Sequence, residues 1–253
     1  MCFYLLLPPL VYIALKCPGL ITGGNAEPIA DTQRGEVSDD DQIQQLIVST
    51  LTEIGDFWTE IFQENGLRYE RPILSMFHNA AYTGCGLVYT AQGLFYCASE
   101  RKLYVDTGFF KNVSDLLGAS GSFGQAFMIA HEVSHHVQNE MGVLPNFKQL
   151  REQVGPEGAQ KLAVRVELQA DCFAGMWGHY MTHKEVVPKA FLEQAQNAAR
   201  QLGDDAMQLK LNDSGETVPE TFVYGTSDQR VTWFRRGFYG GKFGDCDTFS
   251  DPY

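Results

Sequence analysis

An α+β fold, mostly helical, with one small antiparallel sheet is what this 253-residue sequence predicts, and three observations predict it. Apolar residues recur every three to four positions over long Pro-free stretches, the mark of helices that bury one face. Between residues 70 and 106 the pattern changes to short, β-rich, turn-bounded runs. Hydrophobic content of 44% and aromatic content of 12% supply a core for one large unit or two small ones.

The chain opens on a continuously apolar run, Phe3 to Leu15, too short to span a bilayer as a helix and interrupted by Pro8 and Pro9. Its length suits the apolar part of a signal peptide, and Gly24-Asn25-Ala26 offers small residues for cleavage. No positive charge precedes the run, and Lys16 follows it. Residues 1–26 are therefore read as a signal peptide or membrane-anchor segment. A buried core segment is the competing reading. The stretch 22–41 is polar and turn-prone, with its Gly, Asp, Ser and Pro, and residues 27–41 are read as a linker. Residues 42–253 are left as the folded domain.

Ile43, Leu46, Ile47, Leu51, Ile54, Trp58, Ile61 and Phe62 place a helix over 42–64. Strands follow at Ile73–Phe77, Gly86–Tyr89, Leu94–Cys97 and Leu103–Val105. Further helices are expected at about 107–117, 122–141, 145–155, 158–183, 187–202 and 227–240. Gly142 stands where a helix end favours a left-handed residue. Thr226-Ser227-Asp228-Gln229 has the capping-box pattern. The polar stretch 204–223 reads as a loop.

Within the 122–141 helix, residues 131–135 read His-Glu-Val-Ser-His. Four residues apart on a helix, His131 and His135 project from one face and can grip one metal ion. Glu132, beside the first ligand, can take a proton from a metal-bound water without ligating the metal. The apolar flanks Phe127 to Ala130, Val133 and Val137 imply burial, and two buried imidazoles with a carboxylate need partners. Zinc, one ion per chain, is the expected cofactor, and peptide hydrolysis is the chemistry it serves.

Catalytic zinc sites usually have three protein ligands. The arrangement with a Gly three and a third His six residues downstream of His135 is ruled out, because those positions are Gln138 and Met141. The later segment from Arg165 to Cys172 offers Glu167 and Asp171, four apart on one face of a largely apolar helix. Glu167 is expected as third ligand, and Asp171 as the acceptor that orients a ligating imidazole. The competing reading pairs Glu167 with Arg165 at the surface. His136 is rotated about 100° from the metal face and reads as a packing or supporting group. His78, His179 and His183 lie in no motif and read as structural or exposed.

The chain resembles the putative neutral zinc metallopeptidase family of bacteria. The resemblance is carried by Ile129–Gln138 (IAHEVSHHVQ), Val166–Trp177 (VELQADCFAGMW), Gly225–Phe238 (GTSDQRVTWFRRGF) and Cys246–Phe249. Cys85-Gly86, Phe95–Cys97 and Lys102–Phe110 extend it, over roughly 42–250. It implies a peptidase with a thermolysin-like zincin core, ligated by two His and a Glu, acting on a peptide or protein substrate. It also implies an edge strand at Leu103–Asp106 that pairs with extended substrate, and often an N-terminal anchor associating the protein with a membrane. Two positions depart from the family pattern. Ser134 stands where Gly is usual, and Tyr224 where His is usual. If that His stabilises the oxyanion, the Tyr224 hydroxyl is the group that takes over the catalytic role.

Four cysteines lie outside the N-terminal segment, and four allow three pairings. Cys85–Cys97 would close a short loop, and Cys172–Cys246 would tie the tail to the helix bearing Asp171. Disulfides imply an oxidising, extracytoplasmic location; free buried thiols in a reducing cell are the alternative. A net charge of −12 with no Lys/Arg cluster argues against nucleic-acid binding. Two other functions fit the same residues: a non-catalytic zinc-stabilised extracytoplasmic binding protein, and a zinc hydrolase of a non-peptide amide. The sequence assigns no oligomeric state.

Overall fold

The computed structural model describes residues 39–90, 93–110, 113, 122–184, 190–211 and 216–250. The expected signal or anchor segment, and nearly all of the expected linker, lie outside them. The fold is α+β and mostly helical, and among the described residues seven α-helices have eight residues or more: α1 (Asp39–Glu64), α2 (Ser122–Glu140), α3 (Val143–Arg151), α4 (Pro156–His183), α5 (Ala190–Gln201), α6 (Asp204–Leu211) and α7 (Ser227–Gly240). Residues 107–110 and 113 are also helical, within the stretch expected at 107–117. Among the described residues, no helix is long and apolar enough to cross a membrane.

The strands are β1 (Ile73–Phe77), β2 (Ala80–Thr83), β3 (Gly86–Tyr89), β4 (Leu94–Cys97) and β5 (Lys102–Asp106). They form a three-stranded sheet in the order β1-β5-β4 and a separate β2-β3 hairpin. The main sheet is mixed. β4 runs antiparallel to β5, as expected, but β1 pairs with β5 in parallel, from Ile73 opposite Lys102 to Phe77 opposite Asp106. The hairpin and β4 together make the long excursion that brings the chain back to the same end of β1, which a parallel pair requires. A second difference follows. β5, expected at the edge, is the central strand, and β4 is the edge strand beside α2.

The core gathers around α2 and α4. Ile47, Ile54, Phe57, Trp58 and Phe62 of α1 are buried, and the Trp58 ring meets Phe173 of α4 edge-on at 5.4 Å. From Val166 to Gly178 every residue of α4 is buried, as suits a helix apolar over most of its circumference, and the polar Glu167, Gln169 and Asp171 are buried with it. α7 lies against it at unusually close range. A Cβ on Gly237 would stand 1.9 Å from the Cys172 carbonyl oxygen, and one on Gly175 would stand 2.1 Å from that of Phe234. Only glycine lets the two backbones approach so closely.

The stretch 204–223, expected as a loop, begins with α6. Asp204 and Asp205 favour a helix N-terminus, and good helix formers follow (Ala206, Met207, Gln208, Leu209, Lys210). Asp205 also accepts from the backbone N–H and the hydroxyl of Ser227 at 2.7 Å, which fastens α6 to the start of α7. The capping box is present: Thr226 accepts from the Gln229 N–H, and the Gln229 side chain accepts from the Thr226 N–H. Both disulfides form, with Cα separations of 5.8 Å for Cys85–Cys97 and 5.5 Å for Cys172–Cys246. They fit an oxidising compartment outside the cytoplasm.

Candidate metal centre

Ile129, Ala130, Val133 and Val137 anchor α2 in the core, and this carries His131 and His135 inward with them. α4 brings Glu167 to the same point. Ligand atoms of His131, His135 and Glu167 all lie within 4.8 Å of one another, and all three residues are buried. His131 Nε2 is 3.2 Å from Glu167 Oε2, and His135 Nε2 is 3.6 Å from Glu167 Oε1. Donors set tetrahedrally at zinc bond lengths of about 2.1 Å would stand roughly 3.4 Å apart.

Two of these atoms, His135 Nε2 and Glu167 Oε1, are buried with no hydrogen-bond partner. Buried polar atoms are seldom left so, because desolvation without a partner is costly. A cation between them would satisfy both, and two imidazoles with one carboxylate are a donor set that zinc accepts. The residues present fit the ion.

The surroundings orient the donors. His131 Nδ1 lies 2.9 Å from Asp171 Oδ1. Asp171 is gripped from the other side by Arg230, whose Nε and Nη2 donate to its two oxygens at 2.8 Å each. Arg230 is itself buried and spends its Nη1 on the Leu202 carbonyl at 2.9 Å. Burial works against the Asp171 charge, but the Arg230 guanidinium and the His131 imidazole together outweigh it and hold the carboxyl below its usual range. Burial likewise opposes the charge on Glu167, yet the His135 and His131 imidazoles keep that carboxyl low. His131 is desolvated, which alone would lower its pKa, but the Asp171 carboxylate lifts it to about 9.

Glu132 projects beside this set without joining it. One of its oxygens, Oε2, accepts the backbone N–H of Tyr96 on β4 at 2.9 Å. Burial pushes its pKa up, against the pull of His135 and His131. Ser134, the departure from the family pattern on α2, is fully buried and donates its hydroxyl to the Ala130 carbonyl at 2.7 Å, within its own helix. Tyr224 follows α6 in a turn held by Asp204, whose Oδ2 accepts from the N–H groups of Tyr224 at 2.6 Å and Gly225 at 2.8 Å. Burial, and then the charges of Glu167, Asp204 and Glu132, push the Tyr224 phenol up, so it keeps its proton.

His136 is apart from the metal face. It is buried between the Tyr96 hydroxyl, 2.9 Å from Nδ1, and the Glu70 carbonyl, 2.5 Å from Nε2. His179 bonds the Phe238 carbonyl at 2.7 Å, while His78 and His183 are exposed. Arg165 turns to the tail, donating to the carbonyls of Thr248 and Phe249 rather than pairing with Glu167.

Sequence reasoning misses Gln138, Gln169 and Asp204. Gln138 lies three residues after His135 on the same helix face, a spacing that could have found it. Gln169 and Asp204 carry no comparable signal, because their partners are distant in sequence.

A sequence model of the putative neutral zinc metallopeptidase family matches residues 12–249. The chain is 39% identical over 240 residues to the uncharacterized protein YpfJ of Escherichia coli K12, covering 94% of this chain and 82% of that one. It is 36% identical over 219 residues to the uncharacterized proteins Rv2575 of Mycobacterium tuberculosis and Mb2605 of Mycobacterium bovis, covering 82% of this chain and 71% of each. No solved structure matches.

Proposed function

This chain belongs to the putative neutral zinc metallopeptidase family, and from that premise we propose that it hydrolyses peptide bonds outside the cytoplasm. One observation carries the reading: two buried donor atoms without partners, His135 Nε2 and Glu167 Oε1, beside a carboxylate, Glu132, that is not part of the donor set. His131, His135 and Glu167 would hold the ion. Zinc, when bound, supplies Lewis acidity for the scissile carbonyl and lowers the pKa of water to about 7.

Glu132 accepts the proton of the water that attacks the carbonyl, then delivers it to the leaving amine. The Tyr96 N–H fixes one of its oxygens and leaves the other for the water. Its raised pKa makes it a better acceptor for the water's proton than an ordinary carboxylate. The Tyr224 hydroxyl, kept protonated, donates to the carbonyl oxygen as negative charge develops there. Among the described residues β4 pairs with β5 alone, so its outer edge is the place for an extended peptide to align. A purely structural zinc site would have no use for Glu132 beside the donors.

Casein digestion by the zinc-loaded chain tests this. Replacing Glu132 with Gln should leave zinc bound and cut turnover by about 10²–10⁴-fold. A variant that binds zinc and still digests casein at the wild-type rate refutes the assignment.

A further inference from the structure

Beside His135 and Glu167 the structure opens into a cleft of about 390 Å³. We propose, resting on the peptidase reading above, that this cleft selects a large apolar side chain, best an aromatic one, on the substrate residue next to the bond cleaved.

The walls make the case. Tyr96 of β4, Leu144 and Phe147 of α3, and Val166 of α4 are buried and form a small apolar cluster separate from the main core. Ala159 and Ala163 line the same cleft. They stand four residues apart on α4, and Glu167 stands four residues beyond Ala163, so the three share one face of the helix. The small side chains leave open the ground that leads to the metal donors. A residue as large as Leu or Phe at either position would fill it. His135 and Glu167, the residues that carry the two partnerless donor atoms, line this space, so a group seated in the cleft lies next to the reacting centre.

The size fits a side chain. Ligand pockets run from about 300 to 1,000 Å³, and this one lies at the low end, room for an aromatic ring rather than a folded segment. The charges fit as well. The one carboxylate in the lining is Glu167, which belongs to the donor set, so an ammonium or guanidinium would find no partner of its own and would meet Arg151. Arg151 lies over the Phe147 ring, 5.7 Å from its centre. Gln160 is committed to the Phe222 carbonyl at 2.6 Å, which fixes the neighbouring wall. A carboxylate would find a counter-charge in Arg151, but Arg151 is exposed, and the buried part of the lining offers a carboxylate apolar walls beside Glu167. An uncharged apolar group is the one such walls favour.

Two probes test the cleft by calorimetry on the zinc-loaded chain: benzylsuccinate and methylsuccinate, which differ only in the group offered to the walls. In parallel, mass spectrometry of a peptide-mixture digest reads the residue beside each cleaved bond. Benzylsuccinate should bind at least about tenfold tighter, and cleavage should cluster beside Phe, Tyr, Leu and Met. Ala163→Phe should bring the benzyl-to-methyl ratio to about one and shift cleavage to small residues, with zinc content unchanged. Ala159→Leu, a milder filling, should move both in the same direction and keeps the test open if the first variant does not fold. Equal binding of the two probes by wild type, or cleavage indifferent to the neighbouring residue, overturns the inference and leaves the peptidase reading standing. Selective binding without turnover supports the cleft and sinks the peptidase reading.

Discussion

His135 and Gln138 lie one turn apart on α2, with His135 Nδ1 and Gln138 Oε1 separated by 2.8 Å. The direction of that bond is fixed at its far end. Gln138 Nε2 donates to the Val166 carbonyl at 2.8 Å, and a carbonyl can only accept. Gln138 Oε1 is therefore the acceptor, the proton sits on His135 Nδ1, and Nε2 keeps its lone pair, the arrangement a ligating imidazole needs. The same amide straps α2 to α4 one residue before Glu167. Gln169 extends the strap, accepting from Gln138 at 3.1 Å and donating to the Cys246 carbonyl at 3.1 Å.

Replacing Gln138 with Ala should therefore weaken zinc binding by about 10–100-fold while the helices stay folded. Competition with a chromophoric chelator measures it. Wild-type affinity in a folded variant would mean that His135 needs no such support.

Arg230→Met should be among the most damaging changes in the protein. It would leave the buried Asp171 carboxylate without its guanidinium and cost about 3–5 kcal/mol in urea unfolding of the zinc-free chain. Pairing it with Asp171→Leu should recover part of that loss, because the double variant no longer leaves one member of this pair buried without the other. Equal stability of wild type and the single variant would contradict the ion-pair account.

Much of this site is legible in the sequence, and the limit is physical. His131 with His135, Glu167 with Asp171, and Thr226 with Gln229 are separated by three or four residues, so helical periodicity alone aligns them. Both disulfides form as the cysteine positions suggested. For Arg230 the sequence leaves two readings, a pair with an acid near the site or a solvated pair, and no local period marks Asp171, 59 residues away, as its partner. The parallel pairing of β1 with β5 is equally hidden, since the alternation that marks a strand does not say which strand it will meet. The same lack of a pairing signal put β5 at the sheet edge in place of β4. α6 was hidden differently: its polarity resembles a loop, while its helix formers and its clamp on Ser227 decide the outcome.

Burial holds His136 at a pKa of about 4, below its ordinary 6.5. The unfolded chain takes up that proton near 6.5, and the folded chain only near 4. The stability from a neutral His136 is complete above about 6.5 and is lost as pH falls towards 4, amounting to about 3 kcal/mol at most. Urea unfolding at pH 7 and 4.5 should show this loss in wild type and a smaller one in His136→Phe. Identical losses would place the acid sensitivity elsewhere.

Gly237→Ala would put a methyl against the Cys172 carbonyl, where backbone faces backbone and neither side can turn away. α4 and α7 must then separate, at a cost of at least about 1–3 kcal/mol, and the Arg230–Asp171 pair would be pulled apart with them. Thermal unfolding should show a clear loss; an unchanged midpoint would mean that the helices can slide apart freely.

The metal content of the purified chain, wild type beside Glu167→Ala, decides whether His131, His135 and Glu167 hold an ion. About one zinc per wild-type chain and a clear loss in the variant is the predicted result. A folded wild-type protein that takes up no zinc, or a variant that keeps its full complement, would contradict the site described.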